Sequence, residues 1–198
     1  MTPAHTAMVR NILSVYRLAT SDEISRGLQW YPLAHAIVCE WASTFDRSIA
    51  NVACIIAALS PQVSWTRNLV VADDILYGSA PSIGGGILSN VRKAQAIRDD
   101  NATDTIGYFK IGCKVRSFAI NLAGNYDVVT VDTHGAQIAS GDVCRTLRVD
   151  TWARYKPVAR AYVDCAHTVK LAPAHLQAIT WLTWKRLYPH KQTQRREF

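Results

Sequence analysis

Apolar residues recur at three- and four-residue intervals along most of this chain, a period that predicts α-helix rather than strand. Met8, Ile12, Val15 and Tyr16 mark a first helix, and Ser21 followed by Asp22 and Glu23 reads as the capped start of a second. Tyr31-Pro32 divides that helix from a third, which runs to about Ser43. Val52, Ile55, Ile56 and Leu59 give a buried helix that ends at Ser60-Pro61, because the residue before a proline avoids the α region. A helix over Thr66 to Tyr77 follows, then a Pro81 turn and the Gly84-Gly85-Gly86 run. Ser89 caps a basic helix carrying Arg92, Lys93 and Arg98. Val115, Phe118, Ala119 and Leu122 give another, with Gly124 as its left-handed stop. Only Val128 to Val131 reads as extended, and four residues without a partner strand make a connector rather than a sheet. Asp132 begins the next helix. Pro157 and Pro173 suit first helical positions for two more, bearing Val158, Ala161, Tyr162 and Cys165, then Leu176, Ile179 and Leu187. The expected class is all-α, with about ten helices.

Composition narrows the setting. The 198 residues are 49% apolar, enough for one sizeable core or two small lobes. Lys and Arg number 22 against 15 Asp and Glu, a net charge of +7, which favours an anionic partner, nucleic acid first. Much of the excess lies at the end, where Lys185, Arg186, Lys191, Arg195 and Arg196 face only Glu197. The five cysteines form no Cys-x-x-Cys pair, so neither a disulfide framework nor a zinc site is expected. His35 and Cys39 stand four apart beside Leu33, Ile37 and Trp41, a spacing that reads as a packed helix face rather than a ligand pair. No apolar run has membrane-spanning length and the N-terminus lacks the pattern of a signal peptide. The expectation is a cytoplasmic protein with no cofactor and no membrane partner.

One segment speaks about chemistry. Lys114 and Asp132 are 18 residues apart, each at a predicted helix start. The partial positive charge of a helix N-terminus disfavours a second positive charge, which pushes a lysine there toward a free nucleophilic amine. An aspartate N-cap accepts backbone N–H bonds and is held as a carboxylate. Each residue alone also fits an ordinary helix start.

The surrounding residues make the chain resemble the helix-hairpin-helix DNA glycosylase superfamily, endonuclease III-type enzymes above all. Tyr108-Phe109-Lys110-Ile111-Gly112-Cys113-Lys114 falls on that family's hairpin and Val131-Asp132-Thr133-His134 on its acidic segment. The Lys-to-Asp spacing matches without a gap. Ile56-Ala57-Ala58-Leu59-Ser60-Pro61-Gln62 is similar to the family's buried helix ending in Leu-Ser-x-Gln, and Asn68 lies near a family asparagine. The resemblance spans roughly residues 50 to 140. It implies a two-lobe fold in which 48–131 form a helical lobe containing the hairpin, while 1–47 and 132–198 form the other, with a basic tail over 188–198. It departs from the family at the hairpin, where Lys110 replaces the first glycine and Phe109 the proline, and in lacking the C-terminal iron–sulfur cysteines.

The resemblance implies catalytic roles for Lys114, attacking C1′ of deoxyribose to form a Schiff base, and for Asp132, stabilising charge on the sugar as the base leaves. It implies that Gln62 fills the gap left by a flipped base, and that Lys110, Gly112, Arg116, Asn68, Arg92 and Lys93 contact double-stranded DNA. His134 in the acidic segment, Trp65 and the Trp181-Leu182-Thr183-Trp184 stretch read as packing residues. The expected function is a DNA glycosylase with abasic-site lyase activity, with no obligate protein partner; a compact member without a metal cluster would suit a phage. Two alternatives stand beside it: an enzyme of phage base hypermodification on the same scaffold, and a non-catalytic DNA-binding protein.

Overall fold

The computed structural model describes residues 2–82, 87–100, 112–144 and 146–189, and among these residues every regular element is an α-helix. Nine helices follow in order: α1 Pro3–Arg17, α2 Ser21–Thr44, α3 Ile49–Leu59, α4 Trp65–Leu76, α5 Leu88–Asp100, α6 Cys113–Leu122, α7 Thr133–Ser140, α8 Trp152–Val169 and α9 Pro173–Leu187. Residues 128–131 carry no regular element and form no ladder, a connector rather than a strand.

Several boundaries differ from expectation, each for a physical reason. The second and third predicted helices are one, because Pro32 is tolerated inside α2. An internal proline removes one backbone bond, a penalty of about 3 kcal/mol, and burial of Tyr31, Ala34 and Val38 on both sides of it offsets that cost. Pro157 likewise lies inside α8, which starts at Trp152. The cap of α2 is Thr20 rather than Ser21. The Glu23 N–H donates to the Thr20 hydroxyl at 3.2 Å and the Thr20 N–H to the Glu23 carboxylate at 2.9 Å, a reciprocal capping box. The basic helix α5 starts at Leu88, one residue before the expected cap Ser89.

The chain divides into two compact units, one of residues 1–32 with 126–198, the other of residues 33–125. These divisions fall within α2 and just after α6, away from the expected 47/48 and 131/132. In the 33–125 unit α3 is the centre. Every residue from Asn51 to Leu59 is buried, and α4, α5 and α6 all pack against it. Burying Val52, Ile55, Ile56 and Leu59 contributes roughly 1.5–3 kcal/mol each. The one polar member, Asn51, donates to the Ile97 carbonyl at 2.8 Å and so satisfies the end of α5. In the other unit α1, α7, α8 and α9 pack on one another around Ile12, Ile138, Tyr155, Tyr162 and Leu176.

Candidate functional site

Asp132 is the N-cap of α7. Its Oδ1 accepts the Gly135 N–H at 2.8 Å, and the half-buried side chain is thereby fixed in direction. The connector leading to it is pinned from outside. Val129, Thr130 and Val131 are buried and have no neighbouring strand, so their polar backbone groups need other partners. The Tyr155 hydroxyl of α8 supplies two: it accepts from Val131 N–H at 2.8 Å and donates to the Val129 carbonyl at 2.7 Å. Tyr162, one α8 turn-pair further, donates to the Gly135 carbonyl at 3.3 Å. Tyr31 of α2 donates to Gln177 at 3.2 Å. Burial pushes the Tyr31 and Tyr162 phenols well above their ordinary range, and the Asp132 charge pushes both further. They remain neutral donors behind a carboxylate.

His134 lies two residues after Asp132 in the first turn of α7. Its ring meets Trp181 of α9 at 6.4 Å in a T-shaped contact, and its Nδ1 is buried without a hydrogen-bond partner among the described residues. Packing is therefore part of its role, as the sequence implied, but the packing partner was not legible. Lys185, one turn along α9 from Trp181, places its ammonium 4.1 Å from the indole centroid.

Lys114 belongs to the 33–125 unit. It is the second residue of α6 and half-buried, following Gly112, whose carbonyl accepts from Arg116 N–H at 2.8 Å. Gly112 provides no side-chain cap, so the first N–H groups of α6 have no cap from it. Lys114 and Phe118 are four apart and share one face of α6. Phe118 in turn meets Trp65 at 6.4 Å, at the start of α4. Trp65 is half-buried, and Gln62 sits three residues before it, exposed and held in the left-handed region at φ +63°. A non-glycine residue there is strained, as are Asp46 and Lys170 at other turns of this chain. The Trp65–Phe118 contact packs the start of α4 on α6; Gln62 lies three residues before the one and Lys114 four before the other.

The remaining predicted contacts are dispersed. Arg92 and Lys93 are exposed on α5 and Arg116 is half-buried on α6. Lys110 and the rest of the hairpin over 108–111 lie outside the described residues. Asn68 is a correction: at 1% exposure it cannot reach a bound strand, and its amide donates to the Ile56 carbonyl at 3.0 Å, bracing α4 on α3. His35 and Cys39 also resolve. His35 Nδ1 lies 2.8 Å from the Leu122 carbonyl oxygen and so carries the proton. The Cys39 thiol is 3.4 Å from Nε2 and 3.9 Å from Nδ1, nearly equal distances that put it over the ring rather than along the Nε2 lone pair. The ring braces the end of α6, packed against Gly124, where a Cβ would meet its Cε1 at 3.0 Å.

Among the described residues no group of three or more His, Cys, Asp or Glu is placed to hold a metal ion, and no helix is long and apolar enough to cross a membrane. The family described as "Family of unknown function (DUF7178)" matches residues 2–187. The chain belongs to that family. No curated protein and no solved structure matches this DUF7178 chain. The match runs from the first residues of α1 to the last of α9, so both compact units are part of what defines a DUF7178 protein.

Proposed function

We propose that this protein is a DNA glycosylase of the helix-hairpin-helix type, with abasic-site lyase activity, acting on double-stranded DNA. The observation that carries the reading is the Asp132 carboxylate, fixed by Gly135 N–H at the end of a connector clasped by Tyr155. A carboxylate oriented before the reaction stabilises positive charge developing on a sugar without reorganising during it. In the proposed reaction the bond from C1′ to the base breaks, the electron pair leaves with the base, and Asp132 faces the resulting oxocarbenium-like centre. Lys114 adds to C1′ through its amine lone pair and passes a proton to the departed base; the C1′–O4′ bond then breaks, O4′ taking a proton from solvent, and in the resulting Schiff base loss of a C2′ proton to water expels the 3′ phosphate and cleaves the strand. Gln62, exposed on its strained loop, occupies the space of the extruded base, which such chemistry requires because the target atom is unreachable within the stack. Arg92, Lys93 and Arg116 supply phosphate contacts, and the net charge of +7 favours the encounter.

Borohydride trapping on a duplex with one abasic site tests the assignment. The expected result is a covalent complex that is lost in Lys114→Ala and strongly slowed in Asp132→Asn, a substitution that keeps a capping side chain and removes the charge. A complex that survives Lys114→Ala, or none with the unsubstituted protein, overturns the nucleophile assignment.

A further inference from the structure

We infer that Arg148, Arg154, Lys156 and Arg160 form a surface that holds the phosphate backbone of duplex DNA. The inference rests on the reading of this protein as DNA-acting and gives the unit of residues 1–32 and 126–198 its own grip on that partner.

All four side chains are exposed. They lie in the first half of α8 and just before it, where residues 146–164 carry these four cations against two carboxylates, Asp150 and Asp164. Lys156 and Arg160 are four residues apart, so they share one helix face about 6 Å apart along the axis. Lys156 has no ion-pair partner among the described residues. Arg148 engages Asp150 through Nη2 at 2.7 Å, and Arg154 engages the same carboxylate through Nη1 at 3.0 Å. A guanidinium has five N–H donors, so both arginines keep donors for a phosphate oxygen without releasing Asp150. Arg160 uses Nε on Asp164 at 2.9 Å, a carboxylate it shares with His5 of α1.

The helix gains nothing from cations in this place. A helix N-terminus carries partial positive charge, which favours acidic residues in the first turn. In α8 that turn holds Arg154 and no acidic residue, and Thr151 gives its amides no side-chain cap. A bound anion relieves this concentration of like charge, which Asp150 answers only in part.

What the surface lacks selects phosphodiester among anionic partners. Membrane-surface helices add apolar side chains that enter the lipid, and protein interfaces centre on apolar or aromatic anchors. None of the exposed large apolar residues of the described chain falls between 146 and 170, and the half-buried Trp152 turns onto Tyr155 at 5.5 Å. Charge without apolar anchors is what sequence-independent contact with a phosphate backbone uses. Tyr155, between Arg154 and Lys156, is also the residue whose hydroxyl clasps the connector to Asp132. A backbone held at α8 is therefore held in fixed relation to the group that positions that carboxylate.

Fluorescence anisotropy of the full chain with a labelled duplex across a salt series tests this. Lys156→Gln is expected to lower the salt slope by about one phosphate contact, and Arg148→Gln, Arg154→Gln and Lys156→Gln together by about three, weakening binding alike for unrelated sequences. Lys170→Gln, about 21 Å further along α8, is expected to leave the slope unchanged. Thermal melts check that each variant is folded, and Lys156→Gln alone decides if the triple variant is not. An unchanged slope in folded Lys156→Gln, an equal fall in Lys170→Gln, or tighter binding to vesicles of anionic lipid than to duplex overturns the surface. The two readings fail separately: duplex binding that depends on the α8 cations without borohydride trapping sinks the lyase chemistry alone, and trapping with the slope unchanged in every α8 variant sinks the surface alone.

Discussion

At the scale of single residues, the hydroxyl of Tyr155 has the largest consequence. It satisfies one N–H and one C=O of a buried segment that no strand accompanies. Tyr155→Phe keeps the ring and removes both bonds, leaving two backbone groups unsatisfied in the interior. The expected cost is about 2 kcal/mol, measurable as a lower midpoint in urea denaturation with an unchanged slope. The same residue shows where sequence reading stopped. The apolar run, the capping aspartate and the helix after it were legible from Val128 to His134. The phenol that holds them comes from 24 residues away, where a tyrosine in a helix carries no mark of its hydrogen-bond partner. Asn68 failed in the opposite direction. Its likeness to an asparagine of the glycosylase superfamily implied a DNA contact, yet helical phase turns it onto α3, where it braces a carbonyl.

At the scale of elements, the hydrophobic period located all nine described helices and the phase of most of them, because three- and four-residue spacing survives any arrangement of neighbours. Prolines misled it. Pro173 does open α9, but Pro32 and Pro157 lie inside α2 and α8. A local rule assigns a proline to a helix start, while tertiary burial of Tyr31, Ala34, Tyr155 and Val158 keeps those helices continuous through it. Pro32 is itself exposed. Pro32→Ala should therefore restore a backbone bond without disturbing packing and raise stability by about 1–2 kcal/mol, the interior penalty less the entropy that proline removes from the unfolded chain. Chemical denaturation of the variant would show it. A loss of stability would mean that the proline sets a bend in α2 that its neighbours require. The capping box of Thr20 and Glu23 was readable as Thr-x-x-Glu, one residue upstream of where the acidic cluster drew attention.

At the scale of the whole molecule, one compact unit is assembled from both ends of the chain, residues 1–32 with 126–198. Contacts that close the unit of residues 1–32 and 126–198 join residues more than 140 positions apart, among them Tyr31 with Gln177 and Glu23 with Arg186. Pairing of that range leaves no local pattern. The second pair makes a prediction about acid. The hydrogen bond from Arg186 holds the Glu23 carboxyl down to about 2, well below its ordinary value. A carboxylate depressed in the folded state stabilises above its unfolded pKa, near 4.3, and that stabilisation is lost as pH falls from there toward 2. Arg186 is 44% exposed and its charge is screened, so the contribution is on the order of 2 kcal/mol. Thermal melts from pH 6 downward should show that loss, and Glu23→Gln should be less stable at pH 6 and flatter across the window. The clasp on the connector also has a meaning in time. Because the Val131 amide is bonded to a phenol carried by α8, its proton can exchange with solvent only when α8 lifts or the connector peels away. One amide, on the residue just before the proposed catalytic carboxylate, thus serves as a clock for how often that end of the site comes apart.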